Sequence, residues 1–428
     1  MIFRMSLPRG IEPMLCPTVP PVIILEGARM VGKTVVAQRL VESGHYQGYE
    51  NLASLATRRI ARADLAGWLS SLPDQVVIDE AQFLADLPLQ IKFLVDQPHS
   101  PRRFLLTGSA ALGRTGLNGS DPLTGRATRR RLWPFTYLEL TERADRMAAL
   151  VDDLFSGEVT TVREYQSFDA ARVLGAGGFA PIALTAVDTA TADRWVRDTT
   201  LGVLTEHVLP DERFDAGTAM RVLDGCYREP CGVLNLAALG QRLEVNPRTV
   251  DRYLDVLERR FLLHFLPNLA QGPARQHRTR AKVVPVDTAF ASESVRRSDP
   301  AKVNDPRMIG KLLEAWVANQ IAACLGVSQR LVTMHYWRDT KKDKDKKPEN
   351  RHNEVDLVLV DSQGHAIGIE TKLSSTATLS SAGGLAALNA VRELDFGYVI
   401  YTGTKTVRLS ERIYALPIGA LSSQGANS

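Results

Sequence analysis

The sequence predicts an α/β chain in three parts: a parallel sheet flanked by helices, a mostly helical stretch ending in a helix-turn-helix, and a second, smaller α/β unit. Three observations predict it. Up to residue 108, short and fully apolar runs alternate with segments of helical spacing, as strands buried on both faces between helices do. From about 141 to 230 the strand runs fade and helical spacing takes over. After residue 283 strand and helix signals alternate again.

In chain order, residues 1–20, with Arg4, Arg9, Glu12 and several prolines, read as a loose leader. Val22-Ile23-Ile24-Leu25 fits a buried parallel strand, and Val76-Val77-Ile78 and Phe104-Leu105-Leu106 repeat the signal. Helical spacing at 35–40 and 65–69 lies between them. These give a core over 21–140, followed by a helical region over 141–230 that breaks at Leu174-Gly175-Ala176-Gly177-Gly178. A helix-turn-helix fills 231–270. The polar, basic stretch 271–282 (QGPARQHRTRAK) reads as a linker or surface loop opening the second α/β unit, 271–420. Residues 421–428 (LSSQGANS) read as a disordered tail.

Composition narrows the class. A chain of 428 residues holds more than one domain, and 44% hydrophobic with 23% charged residues is that of a soluble globular protein. No apolar run approaches the roughly 18 residues of a membrane span, and the opening residues lack a signal-peptide core, so the expected location is cytoplasmic with no membrane partner. Cys16, Cys226, Cys231 and Cys324 lack paired zinc spacing, which argues against a disulfide framework or structural zinc. The net charge of +4 is too small by itself to indicate nucleic acid.

The strongest motif is Gly27-Ala28-Arg29-Met30-Val31-Gly32-Lys33-Thr34, the G-x-x-x-x-G-K-[ST] pattern directly after a strand and before a helix. Glycines let backbone N–H groups close around phosphates, and the helix N-terminus adds positive potential. Lys33 would reach the β- and γ-phosphates of ATP, and the Thr34 hydroxyl would ligate Mg²⁺. Downstream, the strand Val76-Val77-Ile78 ends in Asp79, placed to hold Mg²⁺, and Glu80, placed to polarise the attacking water. Thr107-Gly108-Ser109 ends the third strand, where Ser109 is a candidate γ-phosphate sensor; a structural Gly-Ser turn reads equally well. Arg126 is a candidate charge-sensing arginine.

Residues 235–263 (NLAALGQRLEVNPRTVDRYLDVLERRFLL) carry the helix-turn-helix. Leu236, Leu239 and Leu243 would be buried in its first helix. Asn246 caps the second, Pro247 opens it, and Val250, Tyr253, Leu254 and Leu257 form its apolar stripe. If the element reads DNA, Arg248, Thr249 and Arg252 lead the second helix into the groove. Such units also serve as purely structural lids.

Residues 353–373 read as a hairpin bearing Glu354, Asp356, Glu370 and Lys372. Period-2 alternation puts Glu354 and Asp356 on one face, and Glu370 and Lys372 on one face; if the faces match, Asp356, Glu370 and Lys372 come together, as two metal-holding carboxylates and a lysine that steadies developing charge. Glu314, on an amphipathic helix, would add a further carboxylate. Alternating acids and lysines are also common on any half-exposed hairpin. The loop 341–347, holding Lys341, Lys342, Lys344, Lys346 and Lys347, is either a solvated run or a phosphate-touching one.

These segments in this order resemble a widespread bacterial and archaeal "ATP-binding protein" family: an AAA-type P-loop ATPase fused to a C-terminal domain of unknown function. That C-terminal region is similar to a winged helix followed by a PD-(D/E)XK nuclease-like fold. The match rests on GARMVGKT at 27–34, VVIDEAQFL at 76–84, LLTGSA at 105–110, LTGRATRRRLWPFTYLEL at 123–140 and the 234–268 segment. PVDTAF at 285–290, IGKLLEAWV at 309–317, HYWRDT at 335–340, NEVDLVLV at 353–360 and IGIETKLS at 367–374 complete it. Ala28 and Met30 replace the common Pro and Gln of the loop, and the spacer before NEVD is longer than usual. The resemblance implies ATP binding at Gly27, Lys33, Thr34, Asp79 and Glu80. It implies nuclease-like positions at Glu314, Asp356, Glu370 and Lys372, with Glu314, Asp356 and Glu370 as metal ligands.

The sequence therefore predicts an ATP-hydrolysing enzyme with Mg²⁺ as cofactor and a nuclease-like C-terminal domain that acts on or near DNA. The alternative is an ATP-dependent adaptor whose nuclease-like domain is a non-catalytic binding module. Oligomeric state stays open, a homo-oligomer among the alternatives.

Overall fold

The apolar run after residue 20 forms β1, Val22–Gly27, in which all six residues are buried. The structure, a computed structural model, describes residues 7–108, 121–162, 164–167, 169–185, 187–205, 214–270, 280–339 and 353–421. The chain divides into two units, Met1–Pro134 with Arg259–Phe261, and Phe135–Glu258 with Leu262–Ser428.

In the first unit β1 is joined by β2 (Gly48–Asn51), β3 (Gln75–Asp79), β4 (Arg103–Gly108) and β5 (Ala127–Leu132) in the order β2-β3-β4-β1-β5. Every pairing is parallel. A parallel sheet carries helices on both faces, which is why β1, β3 and β4 read as unbroken apolar runs. On one face Val22, Ile24, Val76, Ile78, Phe104 and Leu106 pack with Trp68, Leu69, Leu87 and Ile91. Each such side chain stabilises the fold by about 1.5–3 kcal/mol. Parallel pairing also puts the carboxyl ends of all the strands along one edge, where ligands of open α/β sheets bind.

Residues 7–20 are not the loose leader that their composition suggests. Ile11 and Leu15 are buried, and a 3-10 turn spans Glu12–Leu15. Tyr46 Oη donates to the Leu15 carbonyl at 2.8 Å, and Arg39 donates to that of Leu7 at 2.8 Å. Two apolar side chains one turn apart, hidden among prolines and charges, suffice to anchor the segment.

The second unit begins with the helices Tyr137–Leu140, Arg146–Ser156, Ala170–Ala176, Ala180–Ala183, Thr189–Thr205 and Ala216–Tyr227. A three-stranded antiparallel sheet follows, made of β6 (Gly232–Val233), β7 (Leu263–Leu266) and β8 (Lys282–Pro285) in the order β6-β8-β7. Between β6 and β7 lie the two expected helices, Leu236–Leu243 and Pro247–Arg259. The Asn246 side chain accepts from the Arg248 amide at 2.9 Å, and Val250, Tyr253, Leu254 and Leu257 are buried. The first helix differs from expectation. Leu239 and Gly240 are its buried residues, whereas Leu236 and Leu243 are half-buried at its ends.

Arg280 is exposed in a turn, but Ala281 and Lys282 do not belong to a surface loop. Lys282 opens β8 and is fully buried. Local polarity misleads here, because its charge is neutralised by acids far away in the chain. The buried helix Thr288–Ser298 follows, capped by Asp287, which also accepts from the Gly178 amide at 2.7 Å. Burial pushes the Asp287 carboxyl up to about 6, against its two backbone donors Gly178 and Ala289.

After the 20-residue helix Pro306–Leu325 comes a six-stranded sheet. Its strands are β9 (Val332–Arg338), β10 (Glu354–Asp361), β11 (Ala366–Lys372), β12 (Phe396–Tyr401), β13 (Val407–Arg408) and β14 (Ile413–Pro417), in the order β13-β14-β12-β11-β10-β9. β10 and β11 form the expected antiparallel hairpin, with Leu357 opposite Ile369. Among the described residues no helix is long and apolar enough to cross a membrane.

Candidate functional site

At the carboxyl edge of the first sheet, β1 runs through Ala28–Gly32 into the helix Lys33–Glu42. Two glycines make this turn possible. Gly32 sits at φ 104°, a left-handed conformation that side chains resist. At Gly27 an added Cβ would lie 2.5 Å from the carbonyl oxygen of Leu132 on β5. Arg29 and Met30 are exposed at the tip, whereas Ala28 and Val31 are buried beneath it.

Lys33 is nearly buried, and its ammonium donates to the carbonyls of Gly27 and Ala28, both at 2.9 Å. Burial pulls its pKa down to about 8, opposed by the nearby Glu80 and Asp79 carboxylates. Thr34 Oγ1 donates to Asp79 Oδ2 at 2.9 Å. Asp79 is fully buried at the end of β3 and also accepts from Tyr49 Oη at 2.6 Å and from the Thr107 hydroxyl. Burial, and then the Asp79 carboxylate, push the Tyr49 phenol well up, so it stays a donor. Glu80 follows in a left-handed conformation at φ 57°. Its amide donates to Thr107 Oγ1 at 3.2 Å, and its carboxylate accepts from Gln82.

These residues fit a nucleotide with its Mg²⁺. Amide groups line the loop, an ammonium is parked on two carbonyls, and a hydroxyl and a carboxylate converge where the metal of such sites is held.

Two residues to which the sequence assigned no site role of their own, Thr107 and Arg9, complete the site. Thr107 ties Asp79 to the backbone of Glu80, while Ser109, the predicted sensor, lies outside the described residues. Arg9, assigned to the leader, is buried beside the loop. Its guanidinium donates to the carbonyl of Val31 at 3.0 Å and to that of Trp133 at 2.6 Å. It thus fixes the loop to the chain leaving β5. No local motif marks Arg9, whereas Thr107 lies in the strand-end Thr107-Gly108-Ser109 segment already singled out.

Arg126 requires a correction. It precedes β5 and its carbonyl accepts from the amide of Val22, at the opposite end of β1 from the loop. Five residues of strand separate them, roughly 17 Å. Its guanidinium pairs instead with Asp96, at 2.8 Å from Nη2 to Oδ2. Arg126 therefore does not sense charge at the phosphates of its own chain.

The second unit gathers acids around Lys282. Its ammonium lies 2.5 Å from Glu314 Oε1, 2.6 Å from Glu354 Oε1 and 3.5 Å from Asp356 Oδ1. Lys311 reaches the other oxygen of Glu314 at 2.7 Å, and Arg338 lies 3.7 Å from Glu354. Asp356 Oδ2 accepts from the amide and hydroxyl of Thr371, at 2.9 and 3.0 Å. Burial alone would pull the Lys282 ammonium down, but the three carboxylates outweigh it and hold it well above an ordinary lysine. Burial pushes Asp356 up, and Lys282 and Lys311 bring it below the usual range.

Glu370 and Lys372 lie beside this group rather than among the three acids around Lys282: burial, helped by Asp356, raises the Glu370 carboxyl, and against burial Glu370, Asp356 and Glu314 raise the Lys372 ammonium. Among the described residues, the three acids close enough to share one ion are Glu314, Glu354 and Asp356. Glu370 instead accepts from the Leu385 amide at 3.0 Å and pairs with Lys372 at 2.9 Å. Alternation holds within each strand, since Glu354 and Asp356 both reach Lys282 and Glu370 pairs with Lys372, but the Asp356 carboxylate turns to Thr371, the neighbour of Glu370 on β11. Arg248 and Arg252 are exposed on the second helix of the helix-turn-helix; the loop 341–347 lies outside the described residues.

Comparison with known proteins agrees with this geometry. Residues 19–141 match the AAA domain family. Residues 168–301 and 309–421 match two domains of unknown function, DUF8612 and DUF4143. The first unit thus has the P-loop NTPase fold and carries the AAA domain match, in an α/β chain that continues into a helical region and a smaller sheet domain. Over 410 residues the chain is 28% identical to the uncharacterized protein Rv2008c of Mycobacterium tuberculosis and, equally, to Mb2031c of Mycobacterium bovis, covering 95% of this chain and 82% of each relative. Among solved structures, the Walker-type ATPase PABY2304 of Pyrococcus abyssi aligns with TM-score 0.40 at 14% identity, over 67% of this chain and 94% of that one. The RuvB Holliday junction branch migration motor of Thermotoga maritima aligns with TM-score 0.27 at 20% identity, over 63% of this chain and 89% of that one.

Proposed function

We propose that this protein binds ATP with Mg²⁺, hydrolyses it, and uses turnover to switch what its C-terminal region contacts. The observation that carries the reading is the meeting of Lys33, Thr34, Asp79, Glu80 and Thr107 at one strand edge. Bound nucleotide brings the bond to be broken, and its Mg²⁺ neutralises phosphate charge. Lys33 supplies a positive charge that its resting carbonyl partners hold at the mouth of the loop. Thr34 and Asp79 are the metal-holding pair, with Asp79 kept in place by Tyr49 and Thr107. Glu80 takes the proton of the attacking water, its backbone fixed through Thr107.

Glu80→Gln is the test. Removing a general base lowers rate by about 10²–10⁴-fold while leaving the phosphate-binding loop intact. Phosphate release should fall by that factor, with nucleotide affinity retained. Undiminished turnover removes Glu80 from this role, and a wild-type protein that neither binds nor turns over ATP ends the proposal.

DNA is the partner this reading favours. The helix-turn-helix with its three-stranded sheet has the make-up of a winged helix, and Arg248 and Arg252 are exposed on its second helix. Each phosphate contact adds about 0.9 to the slope of log affinity against log salt. Arg248→Ala/Arg252→Ala should therefore weaken duplex binding and flatten that slope by about 2. Fluorescence anisotropy showing no salt-dependent binding by the wild type would exclude DNA.

A further inference from the structure

A nuclease-like domain of the kind that the sequence resembles uses a divalent ion held by carboxylates. The residues present do not fit one. We infer that the ammonium of Lys282 takes the place of that cation, so that this domain is metal-free and its acid cluster is an internal ion network rather than a cleavage centre. The inference stands on the second unit alone, independent of ATP chemistry.

Position comes first. Lys282 is fully buried, and its three N–H donors face three carboxylates from two distant elements: Glu314 of the helix Pro306–Leu325, and Glu354 and Asp356 of β10. The distances, 2.5 to 3.5 Å, place the nitrogen in the space that the three acids enclose.

Charge follows. The three acids face three cations, Lys282, Lys311 and Arg338. The second oxygen of Asp356 is taken by the two donors of Thr371, and that of Glu314 by Lys311. A divalent ion would therefore enter a neutral cluster, beside an ammonium bound to the same oxygens, and be repelled by it.

Chemistry points the same way. Glu370, the other carboxylate expected at such a centre, is held by the Leu385 amide and Lys372 and does not belong to the three-acid group. With no metal to polarise phosphate or water, these carboxylates lack the means of phosphodiester cleavage. The domain then serves as a binding module.

The experiment counts Mn²⁺ on the full-length, nucleotide-free protein by electron paramagnetic resonance and calorimetry. The wild type should bind no ion that Glu354→Gln/Asp356→Asn removes. Lys282→Met should gain one ion per chain, and that ion should disappear in Lys282→Met/Glu354→Gln/Asp356→Asn. Counting differences between variants separates this site from any ion near Thr34 and Asp79. If Lys282→Met fails to fold without metal, refolding with and without Mn²⁺ gives the same reading, because the ion should rescue it and leave the triple variant unaffected. A wild-type ion lost on substituting Glu354 and Asp356 would overturn the inference. So would a folded Lys282→Met that gains none.

Discussion

Lys33→Ala is expected to abolish ATP turnover, by at least about 10²–10³-fold, the loss that follows removal of one preorganised group from developing charge. The loop that Lys33 serves is otherwise made of amides, and its ammonium is already desolvated and aimed inward. The fold should survive the change. A lysine whose pKa burial lowers to about 8 is costly to keep charged in the folded state below that pH. The cost fades as pH rises from about 8 towards the ordinary lysine value, so alanine removes a penalty at neutral pH rather than a support. The same shift predicts that ATP binding above about pH 8 draws a proton onto Lys33 and that affinity falls as pH rises further. Phosphate-release assays, with calorimetry in two buffers of different ionisation enthalpy, check both parts. Wild-type turnover in the alanine variant, with a native circular dichroism spectrum, refutes the role.

Lys282→Met is expected to lower stability by about 3–5 kcal/mol, the range for breaking a buried ion pair from one side. Methionine preserves the bulk and removes the cation. It leaves Glu314 and Asp356 facing each other in a region where burial already pushes Glu314 up. At a few degrees per kcal/mol, the melting temperature should drop by about 10 °C. The loss should shrink on acidification, because protonating the stranded carboxylates removes the repulsion. A solvent-screened network would contribute only about 0–1 kcal/mol. A melting temperature within a degree or two of wild type would therefore contradict the burial on which the argument rests.

What was legible in the sequence was local. The phosphate loop is eight consecutive residues whose spacing is dictated by backbone geometry, so Gly27, Gly32, Lys33 and Thr34 could be read directly. The apolar runs of β1, β3 and β4 and the stripe from Val250 to Leu257 carry their periodicity with them. The failures depended on contacts or directions that no window contains. Lys282 looked like part of a basic linker because Glu314 and Asp356 lie 32 and 74 residues further on. Arg9 looked like a surface charge because its acceptors are backbone carbonyls at Val31 and Trp133, which sequence does not mark. Arg126 was near the right strand, but a parallel strand has two ends and the pattern does not say which one faces the ligand. Glu370 was joined to Asp356 only if the two strand faces match, and the direction that Asp356 takes, towards Lys282 and Thr371, is set by contacts that no window contains.

The strand β8 joins two sites that were described separately. Its first residue, Lys282, is paired through its backbone with Val233 of β6 and Leu266 of β7, the strands that bracket the helix-turn-helix. The side chain of the same residue is clasped by Glu314, Glu354 and Asp356. Backbone and side chain thus anchor to different bodies, as a rivet does through two plates. A force that pulled the helix-turn-helix away would have to shear the strand pairs or drag an ammonium out of its acids. Lys282 thereby couples the strands that bracket the helix-turn-helix to the helix and strand that carry the three acids.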